Sequence, residues 1–247
     1  MTENNAQRRL DVELVSRGLM ASRAQARAAI EAGKVDVDGA VATKPGMLVT
    51  AANHIEAEPA HPWVSRGGLK LDHALGVFEV DPAGRVCLDV GSSTGGFTDV
   101  LLTRGARRVV AVDVGSGQLH PKLRGDPRII SLESTDARNL TPEMIGEPPS
   151  LVVCDASFIG LAKLLEKPLR LAARSADLVG LFKPQFEVGP EYVGRGGLVS
   201  DVAATDRAAA AFAAWLASIG WPILAWTESP VRGGDGNAER LFHARNY

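Results

Sequence analysis

From Ser65 onward, short apolar runs alternate with longer stretches of helical periodicity. Seven such runs occur: RVCLDV (85–90), RRVVAVDV (107–114), RIISLES (128–134), SLVVCDA (150–156), DLVGLF (177–182), PILAWTE (222–228) and RLFHARN (240–246). Runs that are apolar almost throughout mark strands covered on both faces. With helices between them they predict a mostly parallel sheet sandwiched by helices. One stretch, Ala208 to Trp226, carries no charged residue and is nearly long enough to cross a bilayer. Its first half is alanine-rich, and Gly220 and Pro222 interrupt it, so it reads as helix, stop, then strand.

Before Ser65 the pattern differs. Arg9 to Arg17 suits a short helix ended by Gly18, and Ser22 with Gln25 forms an S-x-x-Q capping box. That box opens a second helix running through Ile30 to a stop at Gly33. Lys34 to Val49 alternates apolar and polar residues around Asp38-Gly39, a hairpin turn signal. The expected product is two helices packed on a small β unit. Pro59 to Val64, PAHPWV, with prolines at 59 and 62, reads as a short stiff linker. The expected organisation is therefore a first domain over 1–58, a linker over 59–64 and a second domain over 65–247.

Composition narrows the class. With 45% hydrophobic and 23% charged residues, the chain has globular rather than disordered character. Its 27 basic and 29 acidic residues give a net charge of -2, so any nucleic-acid surface must be a local patch. Arg23 and Arg27 share a helical face that Arg8, Arg9, Arg17, Lys34 and Lys44 could extend; ordinary solvated charge is the equal alternative. The N-terminal MTENNAQRRLDVE lacks the apolar core of a secretory signal. Cys87 and Cys154 each lie inside an apolar run, which reads as buried thiols in a reducing, cytoplasmic setting rather than a disulfide or metal pair. No metal site is expected.

The first run ends in Asp89-Val90 and leads directly into Gly91-Ser92-Ser93-Thr94-Gly95-Gly96-Phe97. Glycines at that point let a ligand approach the backbone at the carboxyl edge of a sheet. The loop lacks the Gly-Lys-Ser/Thr of a P-loop and the G-x-G-x-x-G spacing of nicotinamide sites. Asp113 ends the second run, 22 residues after Gly91, where a carboxylate can accept both ribose hydroxyls of an adenosine. That spacing fits a dinucleotide or S-adenosylmethionine equally. Asp136 after the third run, positioned for an adenine edge, and Asp155 after the fourth break the tie, because the ordered set resembles the S-adenosylmethionine-dependent methyltransferases.

Four further residues extend the resemblance: Lys70 in SRGGLKL, Asp155 in VVCDA, Lys183 in LFKPQF and Glu239 in NAERLF. Their order resembles the Lys-Asp-Lys-Glu tetrad of FtsJ-type ribose 2′-O-methyltransferases, and the whole chain resembles the TlyA (haemolysin A) family. The segment S-R-x-x-A-x-x-x-I-x-x-G-x-V-x-V-D-G, from Ser22 to Gly39, resembles the RNA-binding domain of ribosomal protein S-four type. The resemblance implies an α/β, Rossmann-like seven-stranded class I methyltransferase sheet behind a small α+β RNA-binding domain. It also implies S-adenosyl-L-methionine as cofactor and ribosomal RNA or assembled ribosomal subunits as partner, with cytidine 2′-hydroxyls as the site of transfer.

A ribose hydroxyl is too weak an acid to ionise unaided, so transfer needs a positioned base, and the resemblance gives that role to Lys183. Arg8, Arg9, Arg23, Arg27 and Arg66 are the expected RNA contacts, with Arg195 a further phosphate ligand. The four glycines of Glu187 to Gly197 suit a mobile lid. Phe158 and Phe186 read first as core residues and only second as platforms for a base. The linker's His61-Pro62-Trp63-Val64 departs from the family's commoner pattern. Two competing readings are a non-catalytic RNA-binding assembly factor, which an intact tetrad argues against, and a membrane-lytic haemolysin, in which loop and tetrad would have no use.

Overall fold

The residues that punctuate the chain set its first elements, as a computed structural model describing residues 6–247 shows. The first five residues of the expected N-terminal domain lie outside the described residues. Strand β1 (Arg8–Arg9) leads into helix α1 (Leu10–Ser16), which stops before Gly18 at φ +71°. Helix α2 (Arg23–Glu31) is capped as its sequence requires: Ser22 Oγ accepts the Gln25 N–H at 3.3 Å, and the Gln25 side chain accepts the Ala21 N–H. Strands β2 (Val35–Val37) and β3 (Ala40–Val41) join through Asp38 (φ +54°) and Gly39 (φ +84°), both in the left-handed region that a two-residue hairpin demands.

Strand β4 (Leu48–Val49) pairs with β1, while β5 (Ile55–Ala57), which the alternating pattern missed, pairs with β2. Leu10, Leu14, Ile30 and Val35 form the core of this unit. Fully buried Asp11 is held there by two cations, Arg9 at 3.0 Å and Arg23 at 2.9 Å.

A second compact unit begins at Trp63, so the division falls after Pro62. Val64 is already part of its core and donates its N–H to Asp99 Oδ2 at 3.0 Å. In chain order the unit contains α3 (Arg66–Val77), β6 (Val86–Val90), α4 (Gly96–Thr103), β7 (Arg108–Val112) and β8 (Ile129–Leu132). There follow α5 (Pro142–Ile145), β9 (Leu151–Cys154), α6 (Leu161–Arg170), β10 (Asp177–Phe182), α7 (Pro184–Glu187), α8 (Val202–Ser218), β11 (Ile223–Glu228) and β12 (Arg240–Arg245). All seven apolar runs become strands of one sheet, in the order β11-β12-β10-β9-β6-β7-β8. From β8 to β10 every pairing is parallel; β12 alone runs antiparallel to its neighbours.

The alternation of side chains along each strand divides the apolar residues between two cores. Cys87, Val109, Leu151, Val179 and Leu241 face α3 and α4, while Leu88, Val110, Val152, Leu178 and Phe242 face α6 and α8. Both cysteines are free and buried, and burial pushes each thiol up to about 12. The uncharged stretch from Ala208 divides as its breakers indicate, into the end of α8, a turn at Gly220 (φ +83°) and β11. Among the described residues, no helix is long and apolar enough to cross a membrane.

Phe242 is fully buried among Phe182, Phe212 and Trp226, with ring centroids 5.0 Å from Phe212 and 5.5 Å from Trp226. Phe242→Ala should lower the unfolding free energy by about 3–5 kcal/mol through the cavity it leaves, read from the urea midpoint at unchanged m-value.

Candidate active site at the carboxyl edge of the sheet

Gly91 lies where β6 leaves the sheet. A Cβ there would sit 3.0 Å from the Ala156 Cα and 3.1 Å from the Asp155 carbonyl oxygen, and φ is +83°. Only glycine permits this approach, which draws the loop against the segment following β9. Asp113, just past β7, fixes the loop from the other side, accepting the Ser93 N–H at 2.8 Å and the Gly115 N–H at 2.7 Å. Gly95, at φ +88°, starts α4 against Leu119 and Leu123.

These elements enclose a cleft of about 400 Å³ lined by Gly91, Ser93, Asp113, Asp155 and Phe158 among others. Val90, Val112, Ile159 and Leu164 supply its apolar walls. A smaller cleft of about 200 Å³ adjoins it through Gly91, Ser93, Asp155 and Ser157, and adds Ser92, Thr94, Gly96, Phe97 and Lys183.

The four tetrad positions form two ion pairs. Lys183 Nζ lies 2.6 Å from Asp155 Oδ1 and donates a hydrogen bond to Ser157 Oγ at 2.9 Å. Lys70, on α3, donates to Glu239 Oε2 at 2.5 Å, with both side chains almost wholly buried. Sheet register relates the pairs: Phe182 faces Arg240, so Lys183 and Glu239 stand at the next position of the same antiparallel ladder. Each lysine thus has its own carboxylate, rather than the two amines standing against one another.

Three expected cofactor residues sit behind the cleft instead of lining it. Asp89 is fully buried and accepts the Thr98 hydroxyl at 2.7 Å. Burial raises its pKa to about 7, the Thr98 bond opposes the shift, and the nearby Asp155 and Asp113 charges add to it. Gly95 packs against leucines, as above. Asp136 caps a short 3-10 turn and holds Arg138 at 2.6 Å, which keeps its carboxyl below the usual range; Thr135 and Ala137 line the cleft at that level.

Sequence reasoning also passed over several residues. Ser157 is an acceptor for Lys183, a role its position two residues after Asp155 could have suggested. Glu133 accepts the N–H groups of Gly117, Gln118 and Leu119, holding the loop whose Gln118 lines the cleft. Asn237, 1% exposed, bonds Gly197 O and Val199 N, so it ties the end of the glycine-rich segment to the strand that presents Glu239. Phe158 corrects an expectation. It is 91% exposed with φ +68°, a conformation costing roughly 1–3 kcal/mol, and its ring lies 5.3 Å from that of Phe186.

Of the expected RNA contacts, Arg9 and Arg23 share Asp11, and Arg8 lies 3.7 Å from Glu13. Arg27 is exposed one turn beyond Arg23. Arg66 opens α3 in the second unit, and a Cβ at Gly234 would lie 4.0 Å from its guanidinium.

The sequence pattern of FtsJ-like methyltransferases matches residues 63–246, and that of the S4 domain matches residues 8–55. The chain belongs to the FtsJ-like methyltransferase family. It is 51% identical to the 16S/23S rRNA (cytidine-2'-O)-methyltransferase TlyA of Mycobacterium tuberculosis strain H37Rv, over 96% of this chain and 89% of that one. A relative from Brachyspira hyodysenteriae, named Hemolysin A, is 37% identical over 95% of this chain and 98% of its own. A solved structure of a hemolysin-named protein from Streptococcus thermophilus superposes with a TM-score of 0.76 at 36% identity, covering 97% of this chain and 88% of that one. The FtsJ-like match therefore spans the second unit as far as Asn246 and includes both ion pairs.

The Asp89 environment has a measurable consequence. Its folded pKa is raised from 3.8 to about 7, so its contribution to stability is complete below 3.8 and is lost as pH rises through 7. In paired urea titrations, Asp89→Asn should gain stability relative to wild type across that window and hold a constant difference above it.

Proposed function

We propose that this FtsJ-like methyltransferase transfers a methyl group from S-adenosylmethionine to a ribose 2′-hydroxyl, of cytidine, in ribosomal RNA of the cytoplasm, free or assembled into subunits. The reading is carried by the Lys183–Asp155 ion pair, which opens onto a cleft continuous with the glycine loop.

The cleft residues fit the cofactor. Its volume is in the range of small-molecule sites. Its apolar walls suit an adenine, Asp113 stands where ribose hydroxyls would be recognised, and the backbone of Gly91 to Gly96 suits the amino-acid end. When bound, S-adenosylmethionine supplies an electrophilic methyl group on a positively charged sulfur. Asp155 belongs to both clefts and would face the cofactor and the base at once.

The protein's part is to prepare the hydroxyl. As the free amine, Lys183 Nζ would take the 2′-hydroxyl proton as the oxygen forms its bond to the methyl carbon and the carbon–sulfur bond breaks to leave a neutral thioether, and Asp155 and Ser157 hold that nitrogen in the cleft. The Lys70–Glu239 pair, one ladder step away, fixes the neighbouring wall and the orientation of the ribose. Phe158 and Phe186 would offer rings on which the target base can stack, and Arg66, the first residue of α3, would hold a flanking phosphate. In the N-terminal unit, Arg8, Arg9, Arg23 and Arg27 are the proposed grip on RNA. Asp136 would reach an adenine only after releasing Arg138.

Incubation with methyl-labelled S-adenosylmethionine and bacterial ribosomal subunits should label the RNA, and primer extension at low nucleotide concentration should stop beside the modified cytidine. Lys183→Ala should reduce transfer by about 10²–10⁴-fold while calorimetry shows cofactor binding retained. Wild-type protein that labels neither naked nor assembled RNA overturns the reading.

A further inference from the structure

Helix α6 packs one face into the sheet through Leu161, Leu164, Leu165 and Leu169, and Leu164 also lines the larger cleft. Its opposite face is strongly basic. Between Leu161 and Arg174 stand Lys163, Lys167, Arg170 and Arg174 against a single acid, Glu166. The segment is therefore +3 within a chain of -2, which leaves -5 on all the other residues. Lys163, Lys167 and Arg170 are four and three residues apart, so they form one exposed stripe that Arg174 continues past the helix end.

Two observations separate this stripe from ordinary solvated charge. First, six arginines of the second unit outside the stripe are neutralised locally: Arg85, Arg104, Arg107, Arg128, Arg138 and Arg240 each hold a carboxylate. On the stripe only Arg170 does, at 2.7 Å from Glu166; the side chains of Lys163, Lys167 and Arg174 make no ion pair or hydrogen bond among the described residues. Second, helix stability does not call for a cation at Lys163. It stands in the first turn of α6, where the helix dipole disfavours positive charge, whereas Lys167 and Arg170 lie in the last turn, where it is favoured. The stripe begins five residues after exposed Phe158, which lines the cleft.

We infer that this face of α6 is a second RNA-binding surface, a track on the methyltransferase unit for the phosphate backbone flanking the target nucleotide. The inference rests on the RNA-methylating reading above and adds a surface distinct from the S4 domain. A row of cations of which only Arg170 is paired would hold a polyanion chiefly by releasing its counterions, without reading sequence.

The test compares wild type with Lys163→Glu/Lys167→Glu and Lys163→Gln/Lys167→Gln in binding to a labelled naked RNA duplex and to purified bacterial ribosomal subunits, over a series of salt concentrations. Losing two phosphate contacts should flatten the slope of log K against log salt by about 1.8 and weaken binding on the order of tenfold, with charge reversal worse than neutralisation. Circular dichroism and cofactor binding should match wild type. Unchanged slope and affinity on both probes overturns the proposal. A loss on intact subunits with none on naked RNA also overturns it, assigning the stripe to a ribosomal protein. Failure of the wild-type protein to methylate RNA is a separate result, because the slopes are measured without turnover.

Discussion

The contact between Lys183 and Asp155 is the interaction on which the chemistry proposed for the second unit depends. Each residue follows the last position of a fully buried strand, β10 and β9, and the two strands are hydrogen-bonded neighbours in parallel register. An ammonium and a carboxylate brought to the same sheet edge must be paired, since removing either leaves an uncompensated charge in a poorly hydrated place. The sheet thus delivers a fixed nitrogen to the cleft floor. A lysine on a loop, with four rotatable bonds and water around it, could not be held there as closely.

The same edge carries more negative charge than its two lysines neutralise. Asp89, Asp113 and Asp155 crowd three neighbouring strand ends, and the most deeply buried, Asp89, responds with a pKa raised to about 7. Asp113 is stabilised differently, by backbone N–H groups from the glycine loop and from its own turn. Glu187, half-buried near the start of α6, is also pushed up to about 7 by desolvation, opposed by the Leu161 N–H at 2.8 Å. Carboxylates concentrated in this way suit the cationic cofactor proposed above, and they are costly to fold without a compensating charge.

The two units divide their charge differently. In the N-terminal unit Arg9 and Arg23 serve first to neutralise buried Asp11, so they hold the fold as well as presenting guanidinium edges outward. On α6 the cations serve no buried acid. Phosphate-backbone binding draws on exposed, unneutralised charge, and that distinction is invisible in the net charge of -2.

The amino-acid sequence by itself determined the elements: seven apolar runs became seven strands, the S-x-x-Q box capped α2, Asp38-Gly39 turned the hairpin, and Gly91 turned the loop. These depend on side-chain period and on φ preferences of single residues, which act over a few positions and are legible there. The short β5 was missed because three residues give no period to read. Partner choice belonged to the tertiary structure alone. Lys70 and Glu239 are 169 residues apart in the chain, and only the ladder between β10 and β12 brings Glu239 beside Lys183. Withdrawal of Asp136 is local, to Arg138 two residues on, but exposure of Phe158 and the start of the second unit at Trp63 follow for the same reason as the lysine pairs: each is settled by which distant surface arrives opposite a residue, and local composition carries no record of that.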